Sequence, residues 1–121
     1  MANPNIVNVT TIYGKTVGQV VTTNSTAIVT NQSNSGTIVK LNTLLASNID
    51  GTNDVDVTAA IKIGGTLYNI TSTVTVPADA TVILISKDMG IYMEEGHDLE
   101  LQASANGDLE AICSYEIISA S

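Results

Sequence analysis

An all-β fold, an antiparallel β-sandwich of the jelly-roll or immunoglobulin-like kind, is what this sequence predicts, and three observations predict it. Of its 121 residues, 42 are Thr, Ile or Val, stiff β-branched types that suit pleated strands. Apolar and polar residues alternate with period two in several segments, and no segment carries a helical period. Turn residues recur at roughly ten-residue intervals, which gives about seven short strands and the rhythm of a sandwich. Length, with no repeat and no linker, predicts one β-sandwich domain over residues 1–121, within which residues 1–35 form an N-terminal arm or edge strands.

The elements follow in order. "NIVNVTTIYG", "STAIVTN" and "GTIVKLNTLLAS" are strand candidates set apart by Gly14, Gly18, Asn24 and "NQSNSG"; the first pairs weakly, or with another copy. In "DVDVTAAIKI", Val55, Val57, Ala59, Ile61 and Ile63 share one face and Asp54, Asp56, Thr58 and Lys62 the other, as in a half-buried strand. Gly64-Gly65 then closes a hairpin onto "TLYNITSTVTV", which Pro77-Ala78-Asp79 ends. "TVILISK", residues 81–87, is apolar at consecutive positions, as in a strand covered on both faces by two layers of its own fold or by a neighbouring subunit.

"DLELQAS" buries Leu99, Leu101 and Ala103, and Asn106-Gly107 predicts a primed turn that pairs this strand with "DLEAICSYEIIS". In that last strand Leu109, Ala111, Cys113, Tyr115 and Ile117 share a face. Ile112 and Ile118 lie among Glu110, Ser114 and Glu116 on the other, a candidate subunit contact.

Composition excludes several functions. Four Lys and no Arg face twelve acids, for a net charge of −8; such a chain repels phosphate backbones and anionic lipid, so neither nucleic acid nor membrane is an expected partner. Without Trp, Phe or Arg, the chain lacks the side chains that most often anchor ligands. No basic start with an apolar stretch and no span of about 18 apolar residues occurs, which predicts synthesis in a cytoplasm.

The densest chemistry is "YMEEGHDLELQAS", where Glu94, Glu95 and Asp98 surround the only histidine, His97. Zinc needs three or four converging ligands, and the chain has one His and one Cys, with Cys113 on an apolar face. Calcium oxygens would have to come from this segment together with Asp50, Asn53, Asp54 and Asp56, and neither stretch has EF-hand spacing. His97 and Asp98, adjacent along a strand, point to opposite faces, so no catalytic triad forms. The segment reads as a charged turn around Gly96. "YGKT" is no phosphate-binding loop, because Val9 stands where the first glycine belongs and no helix follows. Asn8, Asn24, Asn31 and Asn69 fit the glycosylation pattern by chance in so Asn- and Thr-rich a chain. No catalytic, cofactor-binding or metal-binding residue is assigned, no cofactor is expected, and the chain is not read as an enzyme.

The segments "VPADATVILISKD", "IYMEEGHDL" and "SYEIIS", within a stretch from about residue 36 to 119, resemble small virion structural proteins of tailed bacteriophages, particularly phages of marine bacteria and cyanobacteria. The resemblance implies a non-enzymatic, β-rich particle component present in many copies in the virion. It implies as partners the major capsid protein or neck and tail proteins, together with further copies of the chain in a trimer or ring. A capsid decoration or cement protein is the leading expectation. A neck or tail ring, adaptor or fibre-associated protein is the second, and a receptor- or carbohydrate-binding module the third, with Tyr13, Tyr68, Tyr92 and Tyr115 its only aromatic platforms. Edge pairing and apolar patches are the physical means by which such a domain joins neighbours.

Overall fold

A computed structural model describes residues 11–119. Nine strands make up most of them: β1 (Thr11–Val21), β2 (Thr26–Thr30), β3 (Thr37–Asn48), β4 (Val55–Ile63), β5 (Thr66–Val76), β6 (Thr81–Ile85), β7 (Ile91–Met93), β8 (Asp98–Ala103) and β9 (Leu109–Ser119). A single 3₁₀ turn at Lys87–Met89 is the one helical element among the described residues. The strands form two antiparallel sheets. One has the order β1-β9-β3-β6, with β7 also on β3, and the other the order β2-β8-β4-β5. The expected all-β antiparallel sandwich is the fold observed.

The strand pairs β4·β5, β3·β6 with β3·β7, β2·β8 and β1·β9 are nested within one another along the chain. The chain is thus one long hairpin with its closed end at Gly64-Gly65, rolled so that successive pairs fall in opposite sheets. Both glycines have positive φ, 59° and 84°, the conformation a tight β-turn demands and a side chain resists. Rolling the hairpin brings β3 beside β9 and β4 beside β8, which completes both sheets.

The core lies between the inner faces. Leu41, Leu44 and Ala46 of β3, Val55, Val57 and Ala59 of β4, Leu99 and Leu101 of β8, and Leu109, Ala111 and Cys113 of β9 are all fully buried there, with Ile85 and Met93. Tyr115 and Ile117 pack against the same cluster. The alternations read from β4, β8 and β9 are therefore the core-facing registers, except that Ile63 at the end of β4 is exposed.

Three expectations are corrected. The segment 81–87 is not a strand covered on both faces. The β3·β6 register slips between Leu44 and Leu45, and this bulge turns Leu84 and Ile85 both inward while Ile83 stands 67% exposed. An extra residue in one strand accounts for a consecutive apolar run.

The hairpin predicted at Asn106-Gly107 does not form, because β8 pairs with β2 and β4 while β9 pairs with β1 and β3. Residues 104–108 cross between the sheets. Ala105 packs on the core, and Asn106 Oδ1 accepts the Thr23 N–H at 2.9 Å. Each flanking strand has a single apolar face, and both faces meet the core only from opposite layers.

Gly14 and Gly18, read as breaks, lie inside β1, which pairs with β9 over eleven consecutive residues without a shift. The part of the first strand candidate before Thr11 lies outside the described residues.

Candidate interaction surface

The acidic segment is built as a turn. The His97 N–H donates to Glu94 O at 3.2 Å across Glu95 and Gly96, and Gly96 takes φ 83°, the third-position geometry that favours glycine. His97 Nδ1 accepts the Glu94 N–H at 3.1 Å, so that nitrogen's lone pair is committed to the turn. A Glu95 carboxylate oxygen accepts the Gly36 N–H. Asn31 donates its N–H to His97 O at 2.9 Å and accepts the Gly96 N–H at 2.8 Å. Asp98 opens β8 opposite Thr30 and Lys62. These polar groups fasten the β7–β8 connection to the β2–β3 loop.

The second acidic stretch lies at the other end of β3. The twelve residues of β3, at about 3.3 Å each, hold the two stretches roughly 35 Å apart, so they do not form one oxygen cage. Asp50 is occupied locally: its carboxylate accepts N–H groups from Thr52 at 2.8 Å and from Asn53 at 3.3 Å. The Thr52 bond, first, and those from Asn53 lower its pKa. Among the described residues no three His, Cys, Asp or Glu side chains gather as metal ligands would.

The outer faces of the two sheets differ in chemistry. Directly opposed residues in antiparallel strands share a face, and in the second sheet that face pairs Thr58 with Gln102, Ala60 with Glu100 and Lys62 with Asp98. Lys62 Nζ lies 3.9 Å from a Glu100 oxygen, and Thr75 donates to Asp56 at 2.8 Å. This face is mainly polar and charged, with Leu67, opposite Lys62, an exposed apolar residue on it.

In the first sheet one row runs Ile83, Leu45, Ile112 and Gly18 across β6, β3, β9 and β1. Ile83 is 67% and Ile112 50% exposed, and Leu45 is half-buried. Val20, 51% exposed, lies beside the row on β1. Next to Ile112, where Gly18 has no side chain, an open hollow of about 360 Å³ is lined by Gly18, Val20, Ser47 and Glu110 among others. At the other end of the sheet the exposed Ile12 lies in register with Ile118 and Ile38, both of them buried. Of the two isoleucines on β9 to which the sequence pointed, Ile112 is exposed and Ile118 is buried. The contributions of Ile83, Leu45, Val20 and Ile12 depend on strand neighbours and on a bulge, and no local pattern shows them.

An apolar row of this kind on a solvated sheet marks a contact surface.

No protein-family model matches the sequence, and no curated protein matches it. Solved structures do share its fold. A chain of the Bacillus endospore appendages, a family of disulfide-linked pili, superposes with a TM-score of 0.54 at 11% identity, over 92% of this chain and 88% of that one. A chain of the acid-stable capsid of the Helicobacter pylori bacteriophage KHP30 superposes with a TM-score of 0.52 at 7% identity, over 93% and 91%. At these identities the likeness is one of fold.

Proposed function

We propose that this protein is a non-enzymatic structural component of a virus particle, and in its most specific form a capsid decoration or cement protein of a tailed bacteriophage. It would hold to neighbouring subunits through the outer face of its β1-β9-β3-β6 sheet. The observation that carries the reading is the exposed apolar row Ile83–Leu45–Ile112, set on a sheet whose partner sheet turns a mainly polar face to water. The nested strand order is read as a jelly roll, and the similarity in fold to a phage capsid chain and a pilus chain supports an assembling role. Cys113 is fully buried, so contacts between copies would be non-covalent.

The test is rebinding to particles. Purified phage is stripped of this protein with a mild chaotrope, and wild type, I83D/I112D and H97A are added back. Wild type and H97A should rebind equally, and I83D/I112D should lose at least tenfold in affinity. Equal rebinding of all three removes the sheet face as the contact, and absence of the protein from purified particles removes the virion reading altogether. Hundreds of copies per particle place it on the head; a dozen or fewer place it at the neck or tail and overturn the decoration role.

A further inference from the structure

A sandwich of open sheets has edges, and an edge strand presents unpaired N–H and C=O groups to any strand that approaches. Proteins blunt such edges by shortening them or by bulging them. Four of the five outer strands here are blunted. β2 and β6 have five residues each, and each has a register irregularity, between Ala27 and Val29 and opposite Leu44–Leu45. β7 has three residues. β5 is long, but its ladder slips on either side of Ala59, and Thr73 within it takes φ 48°.

β1 is not blunted. It is eleven residues long, regular throughout, without proline, and exposed over most of its length. Among the described residues no strand lies on its outer side.

The sequence of β1, "TIYGKTVGQVV", is also symmetric about Thr16 on the sheet's outer face. Gly14 and Gly18 lie two residues to either side, and Ile12 and Val20 four. Neither glycine has positive φ. A Cβ would meet nothing within 4 Å at Gly14 and only a carbonyl oxygen at 3.9 Å at Gly18. The fold of the single chain therefore gives no reason for either glycine, and glycine inside a strand often marks the close approach of another backbone.

We infer that the free edge of β1 pairs antiparallel with β1 of a second copy of this chain, in the register centred on Thr16. That register sets each Ile12 against the partner copy's Val20, two side chains 55% and 51% exposed in the single chain. It sets Gly14 against Gly18, and it joins the two sheets into one. Lys15, the strand's only charge, faces a valine rather than another lysine. β1 carries no acid, so two chains of net charge −8 meet there without opposing carboxylates. The arrangement is a closed twofold, in place of the trimer or ring expected from the sequence.

The inference deepens the assembly reading and rests on it for the premise that copies meet. Sedimentation equilibrium of the full chain tests it apart from particle binding, and should show a dimer. I12K and V20E should each raise the dimer dissociation constant at least tenfold, and the double variant I12K/V20E should recover most of that loss, because only this register sets the new charges opposite each other. Both positions are exposed, and an unchanged circular-dichroism spectrum confirms each variant's fold. T16C should oxidise to a covalent dimer, since directly opposed Cα atoms lie about 4.5–5.5 Å apart, within disulfide reach. T30C, on the edge of β2, should not. A monomer, a trimer, equal crosslinking at both sites or no recovery in the double variant overturns the inference. Dimerisation with no binding to particles leaves it standing and removes the virion reading alone.

Discussion

Asn31 and Asn48 fix the two ends of β3. The Asn31 carboxamide donates to Thr37 O and Met93 O at 3.0 and 3.1 Å and accepts hydroxyls from Ser35 and Thr37 at 2.7 and 3.1 Å. Asn48 donates to Asn53 O and Val76 O at 2.8 and 3.0 Å and accepts the Asp50 N–H at 2.9 Å. Both are buried and fully bonded, which is the condition for a polar group to stay in a core. The sequence shows Asn31 as a turn residue in "NQSNSG" and a chance match to the glycosylation pattern, because a carboxamide that staples loops looks the same as one in solvent. Cys113, in contrast, is legible from its apolar surroundings. Its burial raises the thiol pKa from 9.0 to about 11. A group with a raised folded-state pKa stabilises fully below its unfolded value and loses that contribution as pH climbs through the folded one. Stability should therefore fall between about pH 9 and 11, by roughly 2 kcal/mol from this residue. In urea melts wild type should lose this stability across that window and C113A should not if Cys113 is the cause, and identical slopes would show that it is not.

At the scale of the strand, alternation identified β4, β8 and β9 because each buries one face against the core, so period two survives in the side chains. It failed at β6, where the bulge opposite Leu44–Leu45 turns two successive side chains inward. It also failed at the β8–β9 connection, since Asn-Gly signals a turn but not which sheet the chain joins next. β7 went unrecognised because three residues are too few for a period. The bulge makes neighbouring positions differ sharply: Ile85→Ala should cost about 2–5 kcal/mol, whereas Ile83→Thr should stay within about 0.5 kcal/mol. Chemical denaturation of the two variants checks this, and a large loss at Ile83 would mean that β6 lies in another register. The candidate surface was legible on β9 alone, because the rest of its row is assembled from residues tens of positions apart.

Over the whole molecule, the two-sheet sandwich was readable from composition and rhythm, while the nesting of its pairs was not, since period two does not say which strands meet. Nesting sets Thr11 beside Ser119 and leaves Gly64-Gly65 at the far end of the hairpin with open space around both glycines. A chain with residue 121 joined to residue 1 by a short Gly/Ser linker and opened between Gly64 and Gly65 should therefore fold to the same β-rich circular-dichroism spectrum and melt cooperatively. A permuted chain that stays unfolded would show that the glycine turn must form first.

The pairing of Thr11 with Ser119 also sets a schedule. On the ribosome β1 emerges before β9, the strand that anchors it. Until residue 119 has been synthesised, the first strand has no sheet to belong to and presents no ordered edge to a sister chain. The proposed β1–β1 pairing therefore requires β9 to be in place first.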